Sequence, residues 1–264
     1  MDKSDLDQLR NAVELLEHPS LAARLANMIG KPVELFGRSL PAGASQAIAT
    51  ATTKSLEAAV KVALLTIRGG PQASSQMLHR ALAVASGAAG GALGILSLPV
   101  ELPVSTIIIL RSILDIARSE GEDLADPEAS LSCVEVFGLG GRTQADDAAE
   151  GGYFVVRGVF AGSVTEAARF IAERGIVEEG SPVLVRLIAQ IGSRFGFVVS
   201  QKAAAQTIPM IGALGGAAIN YAFIDHFQSV ARGHFTVRRL ERKYGKDVVF
   251  DAYQRLRQDL RPEK

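Results

Sequence analysis

Lys202 is the residue with the most chemistry to offer. At 100° per residue, Leu184, Ile188, Ile191, Phe195, Val198 and Lys202 fall in one narrow helical stripe, so an ammonium ends an otherwise apolar face. Either the side chain snorkels and caps helix carbonyls, or it is a partly buried cation that needs a carboxylate or an anionic ligand. Glu101 is the only charge between Arg80 and Arg111. It either complements a helix N-terminus or pairs with Lys202. Gln206, Asn220, Arg111 and Asp115 complete the polar residues placed to hold a ligand or a buried ion pair. Arg111, Asp115, Arg118 and Glu122 share one helix side and are expected to form a solvated ion-pair ladder. A head-group or phosphate site at Arg111 is the sharper alternative.

The remaining reactive residues point away from catalysis. His226, His234 and Glu241 lie on one helix at a spacing that spreads them over more than about 20 Å, too far for one ion to bridge. His234 is expected as a satisfied core histidine. Cys133 is the single cysteine, which leaves no internal disulfide and no cysteine-based zinc cluster. No G-x-S-x-G, H-E-x-x-H or P-loop occurs. Accordingly no catalytic residue, cofactor site or metal site is assigned. The 28 Lys and Arg balance the 28 Asp and Glu. A nucleic-acid partner is therefore not expected, because a basic footprint is missing. The one dense basic run is Arg238, Arg239, Arg242 and Lys243.

The elements that carry these residues read as helices nearly throughout, an all-α single multi-helix domain. An N-terminal helical segment occupies 1–40 and the main helical domain 41–264, with 142–152 as the best hinge. Helices are expected over about 42–67, 74–97, 104–119, 127–139, 153–173, 182–206 and 217–244, with a short amphipathic helix closing near Leu260. Asp126-Pro127 and Ser181-Pro182 are cap-plus-proline starts. Pro99 and Pro103 punctuate the chain ahead of Val104. At 153–160 strand propensity competes, but Tyr153, Val156, Phe160, Val164, Ala167 and Ile171 keep helical spacing.

Residues 81–100 and 203–224 contain, between them, only Gly, Ala, Ser, Pro, apolar residues and three uncharged polar side chains. Gly87, Gly91 and Gly94 in the first and Gly212 and Gly216 in the second include G-x-x-x-G spacings, which let helix backbones approach closely. The two segments are expected to pack together through these glycines. Both reach the length of a membrane span, yet Ala and Gly anchor poorly and no aromatic belt flanks either run. A close-packed buried pair, conditional insertion and a permanent span stand in that order.

The stretch from Leu102-Pro103 to Leu124 resembles the central signature of the EcsC family. So does Lys202 to Gly245, with its KAAAQTIPMIGALGGAAIN core and ARGHFTVRRLERKYG tail. The similarity covers most of the chain from about residue 50. It implies a helical fold and, for some members, membrane association. It names no reaction, and a peptidase label sometimes attached to members has no motif here to support it. The leading expectation is a non-enzymatic helical protein that binds lipid or a membrane partner, cytoplasmic by default because the charged N-terminus is not a signal peptide. A hydrolase of unrecognised type and an interaction scaffold are the alternatives.

Overall fold

In the computed structural model the described residues are 1–17, 21, 24–25, 43–67, 98–141, 152–175, 181–206 and 212–260, with backbone only at 212–215. Helix makes up 91% of them and no strand occurs among them. The elements are α1 (Lys3–Glu17), α2 (Ala44–Ile67), α3 (Leu98–Ser119), α4 (Pro127–Leu139), α5 (Tyr153–Arg174), α6 (Pro182–Gln206), α7 (Gly212–Tyr244) and α8 (Lys246–Asp259).

Local chemistry explains the boundaries. The Asp126 carboxylate accepts from the Glu128 N–H and Pro127 follows at the first helical position, so α4 starts where the cap and ring dictate. Pro182 opens α6, although the buried Ser181 hydroxyl makes no hydrogen bond. Gly245 separates α7 from α8 at φ 89°, a backbone state that glycine adopts without a Cβ clash. Helical spacing prevails over strand propensity in α5: Tyr153, Val156, Phe160, Val164, Ala167 and Ile171 are all buried. The start of α3 corrects the sequence reading. Its helix begins at Leu98, not Val104, and runs through Pro99 and Pro103. Pro99 sits in the first turn, where N–H groups lack partners anyway. The buried Leu98, Glu101 and Leu102 outweigh the one bond that Pro103 cannot make.

Contacts between helices set their directions. A Cβ on Gly192 or Gly196 of α6 would meet Leu56 or Thr52 of α2 at ordinary van der Waals distance, so α2 and α6 are antiparallel. Phe195 stacks on Phe227 while Lys202 lies on Phe223, so α6 and α7 are antiparallel. Ser112 of α3 and Glu120 just past its end bond Gln228 and Thr236 of α7, which makes α3 and α7 parallel. α1 runs back along α7, from Arg239 at Gln8 to Gly233 at Leu16. The starts of α2, α3 and α7 and the end of α6 therefore gather at one end of the bundle. Phe137, Phe195, Phe223 and Phe227 fill the centre, with neighbouring ring centroids 5.0–6.2 Å apart.

Among the described residues, close approaches use glycines that the sequence reading did not select, while the expected helix over 74–97 lies outside those residues. A Cβ on Gly141 would lie 2.4 Å from the Arg194 carbonyl oxygen, and one on Gly138 2.6 Å from the Phe160 ring. Of the expected glycine contact, Gly87, Gly91 and Gly94 lie outside the described residues, as do most of the hinge 142–152 and the N-terminal residues 26–40. Gly212 is the first residue of α7, and Gly216 is buried.

Candidate functional site

Helical periodicity buries the Leu184–Val198 stripe of α6, and Lys202 follows it inward to zero exposure. The Lys202 ammonium donates to both Glu101 carboxylate oxygens, at 2.8 and 2.9 Å, and lies 4.5 Å from the centre of the Phe223 ring. Glu101 is itself 6% exposed. Burial pulls the Lys202 pKa below the usual lysine range, while the Glu101 charge and hydrogen bonds push it back up. The pair joins α3 to α6 beneath α7.

The other candidates divide. Gln206 lies one turn beyond Lys202 on the same face, with a buried Oε1 that makes no hydrogen bond. Asn220 is fully buried on α7, one turn before Phe223. Arg111 is on the exposed flank of α3, ten residues (about 15 Å) from Glu101, so it does not join the pair. The expected ladder holds only between Asp115 and Arg118, at 3.0 Å. Glu122 leaves it: α3 has ended by then, and the buried Glu122 carboxylate accepts from Arg238 at 2.8 and 2.9 Å and from Arg242. Burial works against the Glu122 charge, and the two guanidiniums more than offset it, holding its pKa below the ordinary carboxylate value.

The pair matters for what surrounds it. Residues 44–53 of α2, 98–110 of α3, 195–206 of α6 and 212–224 of α7 contain two charged residues, Glu101 and Lys202. Those two neutralise each other inside the bundle. The end of the bundle thus presents no charged side chain from these helix segments over twelve or so residues, about 18 Å. It does present Val100, 75% exposed, together with the exposed Val104, Phe197 and Tyr221.

Away from that end lies a second polar cluster, between α1, α4, α5, α7 and α8. The buried Glu17 carboxylate accepts from the Tyr153 N–H at 3.1 Å, the Tyr253 hydroxyl at 2.8 Å and the Arg257 guanidinium at 3.0 Å. It supplies the anion at the start of α5. Gly152 must be glycine there: its φ is 51°, and a Cβ would lie 2.6 Å from both Glu17 oxygens. Arg157 grips Glu241 through two 2.8 Å bonds. His234 Nδ1 is 2.7 Å from the Tyr153 hydroxyl, while its buried Nε2 has no hydrogen-bond partner. His226 Nε2 donates to the Gly140 carbonyl at 2.9 Å. Burial lowers the pKa of both histidines, that of His226 to about 4, and raises that of the fully buried Glu135 to about 7. Sequence reasoning missed Glu17 and Glu135. Their one signal was a carboxylate on an otherwise apolar helix face.

Among the described residues no group of three His, Cys, Asp or Glu side chains is placed to hold a metal ion. One described helix, α6, is long and apolar enough to cross a membrane by length and composition. No curated protein and no solved structure matches the chain. The model of the EcsC protein family matches residues 3–240. With nearly the whole chain covered, the protein belongs to the EcsC protein family.

Proposed function

We propose that this chain is a peripheral membrane protein that lays the uncharged end of its bundle into one leaflet of a lipid bilayer. The observation that carries the reading is the absence of exposed charge from four converging helix ends, whose only two charges are paired and buried. A lone lysine or glutamate at the centre of a membrane helix is expensive. Paired with each other and shielded by Phe223, they stop opposing entry. The depth agrees as well: about 18 Å of uncharged helix compares with about 15 Å for half of a hydrocarbon core. The described parts of both uncharged runs, 98–100 and 203–206 with 212–224, lie at this end.

The test is flotation of the full chain with phosphatidylcholine vesicles. The protein is expected to float, to resist high salt and to be released by detergent, because the association is apolar. Val100→Asp together with Val104→Asp places charge on exposed positions and should abolish flotation at unchanged melting temperature. Absence of the unaltered protein from the vesicle fraction would overturn the reading and leave a scaffold or an enzyme ahead.

A further inference from the structure

The charges nearest the uncharged end are ordered by sign. On α2 the first charged residue is Lys54, and on α3 the first exposed one is Arg111. On α6, read back from its end past the buried Lys202, it is Arg194. On α7 it is Asp225, which is covered by an ion pair with Arg24. Among the described residues of these helices and Arg24, four cations thus stand at this level against one carboxylate. Helix registers put them at similar heights: Thr52 and Leu56 bracket the level of Gly192 to Gly196 on α6, and Arg111 lies about 15 Å from Glu101 against about 12 Å from Lys202 to Arg194. Measured from the helix ends, all four helices reach this collar after about 15–20 Å. The carboxylates Glu57 and Asp115 come one turn further away.

Resting on the membrane reading above, we infer that Lys54 and Arg111 form a cationic collar that binds the phosphates of anionic lipid head groups and selects anionic bilayers. The chemistry fits the sequence of layers. An apolar end occupies the acyl region, cations stand where phosphates lie, and, apart from the paired Asp225, the carboxylates of these helices begin only outside. Lys54 and Arg111 are exposed. Long basic side chains at such a boundary extend their charge toward head groups while their stems stay on apolar surface. The net charge of zero does not oppose this, because a surface potential acts only within a Debye length, about 10 Å.

The experiment compares the full chain on vesicles of phosphatidylcholine alone and of phosphatidylcholine mixed with phosphatidylserine. Each cation near an anionic surface is worth about five-fold in partitioning, so the unaltered protein should bind the mixed vesicles at least about ten-fold more tightly. That increment, unlike binding to neutral vesicles, should fall with added salt. The double variant Lys54→Gln, Arg111→Gln should lose most of the preference and keep its binding to neutral vesicles. Arg255→Gln, an exposed cation on α8, should change neither. Equal binding of the unaltered protein to both vesicles overturns the collar and leaves the apolar reading intact. A full preference in the double variant, or an equal loss in Arg255→Gln, overturns it too. Binding to neither vesicle overturns both. Millimolar inorganic phosphate should not compete, and competition would assign the cations to free anion and sink the lipid proposal.

Discussion

The two ends of α7 treat charge in opposite ways. At its start, Lys202 and Glu101 are each other's ionic partners, sealed among apolar side chains with Phe223. At its other end, charges share partners. Glu122 bonds Arg238 and Arg242, Glu120 bonds Arg239, and Asp5 bonds Arg239, Lys243 and the Tyr244 hydroxyl. Lys243 and Tyr244 hold the Asp5 pKa down to about 2. A sealed pair has no reserve, since each group is left stranded in a low dielectric when the other goes. A shared network at the surface has water and second partners to fall back on. The difference follows the surroundings: among the described residues, the helix segments at one end carry no exposed charge, and those at the other are rich in it.

Breaking the sealed pair should have the largest effect. Lys202→Met and Glu101→Gln are each expected to cost about 3–5 kcal/mol, and the double variant far less than their sum, as read by denaturant unfolding. Strict additivity would mean that the residues do not interact energetically.

A fully buried carboxyl in the charged half is the next test. Glu135 has a raised folded pKa of about 7 and an ordinary unfolded value near 4.5. The folded state therefore binds more protons between these limits. Its contribution is present below about pH 4.5 and is lost as pH rises to about 7. Glu135→Gln should remove that loss, so the variant gains on the unaltered protein through this window, by up to about 3 kcal/mol above pH 7. His226 and His234 titrate with the opposite sign, losing stability as pH falls below about 6.5, but they do so in both proteins and cancel in the difference. A pH-independent difference would show that Glu135 is ionised and paired in the fold.

Gly141→Ala probes the contact that joins the two halves. The added methyl would press on backbone at Arg194, which cannot turn aside, so about 1–3 kcal/mol of destabilisation is expected from thermal melts. The smallest effect is expected at the shared network. Arg242→Gln should cost under about 1 kcal/mol, because Arg238 keeps both Glu122 oxygens and Arg242 is 43% exposed. A cost as large as that of Lys202→Met would erase the contrast between the ends.

Several features were open to reading from the chain because they are local. Asp126-Pro127 sets the start of α4 through one side chain and one ring. The spacing of Tyr153, Val156 and Phe160 outweighs their strand propensity because three buried positions in register bind more apolar surface than a propensity of tenths of a kcal/mol can oppose. The link between Lys202 and Glu101 was suggested by their isolation at the edges of two uncharged runs. Glu17 offered no such sign. Its partners Tyr153, Tyr253 and Arg257 lie 136 to 240 positions away, on helices with many other polar residues.

What the sequence determined by itself is where most of the described helices lie, which face of each is apolar, and that two long runs hold no charge. Periodicity carries that information because a helix repeats every 3.6 residues whatever it packs against. Tertiary structure alone decided that the starts of α2, α3 and α7 and the end of α6 share one end, and that Glu122 turns inward to Arg238. It also decided that Gly138 and Gly141 pack against Phe160 and the Arg194 backbone. These depend on the relative direction and register of helices, which one-dimensional spacing leaves free and which close packing and the pairing of buried charges fix.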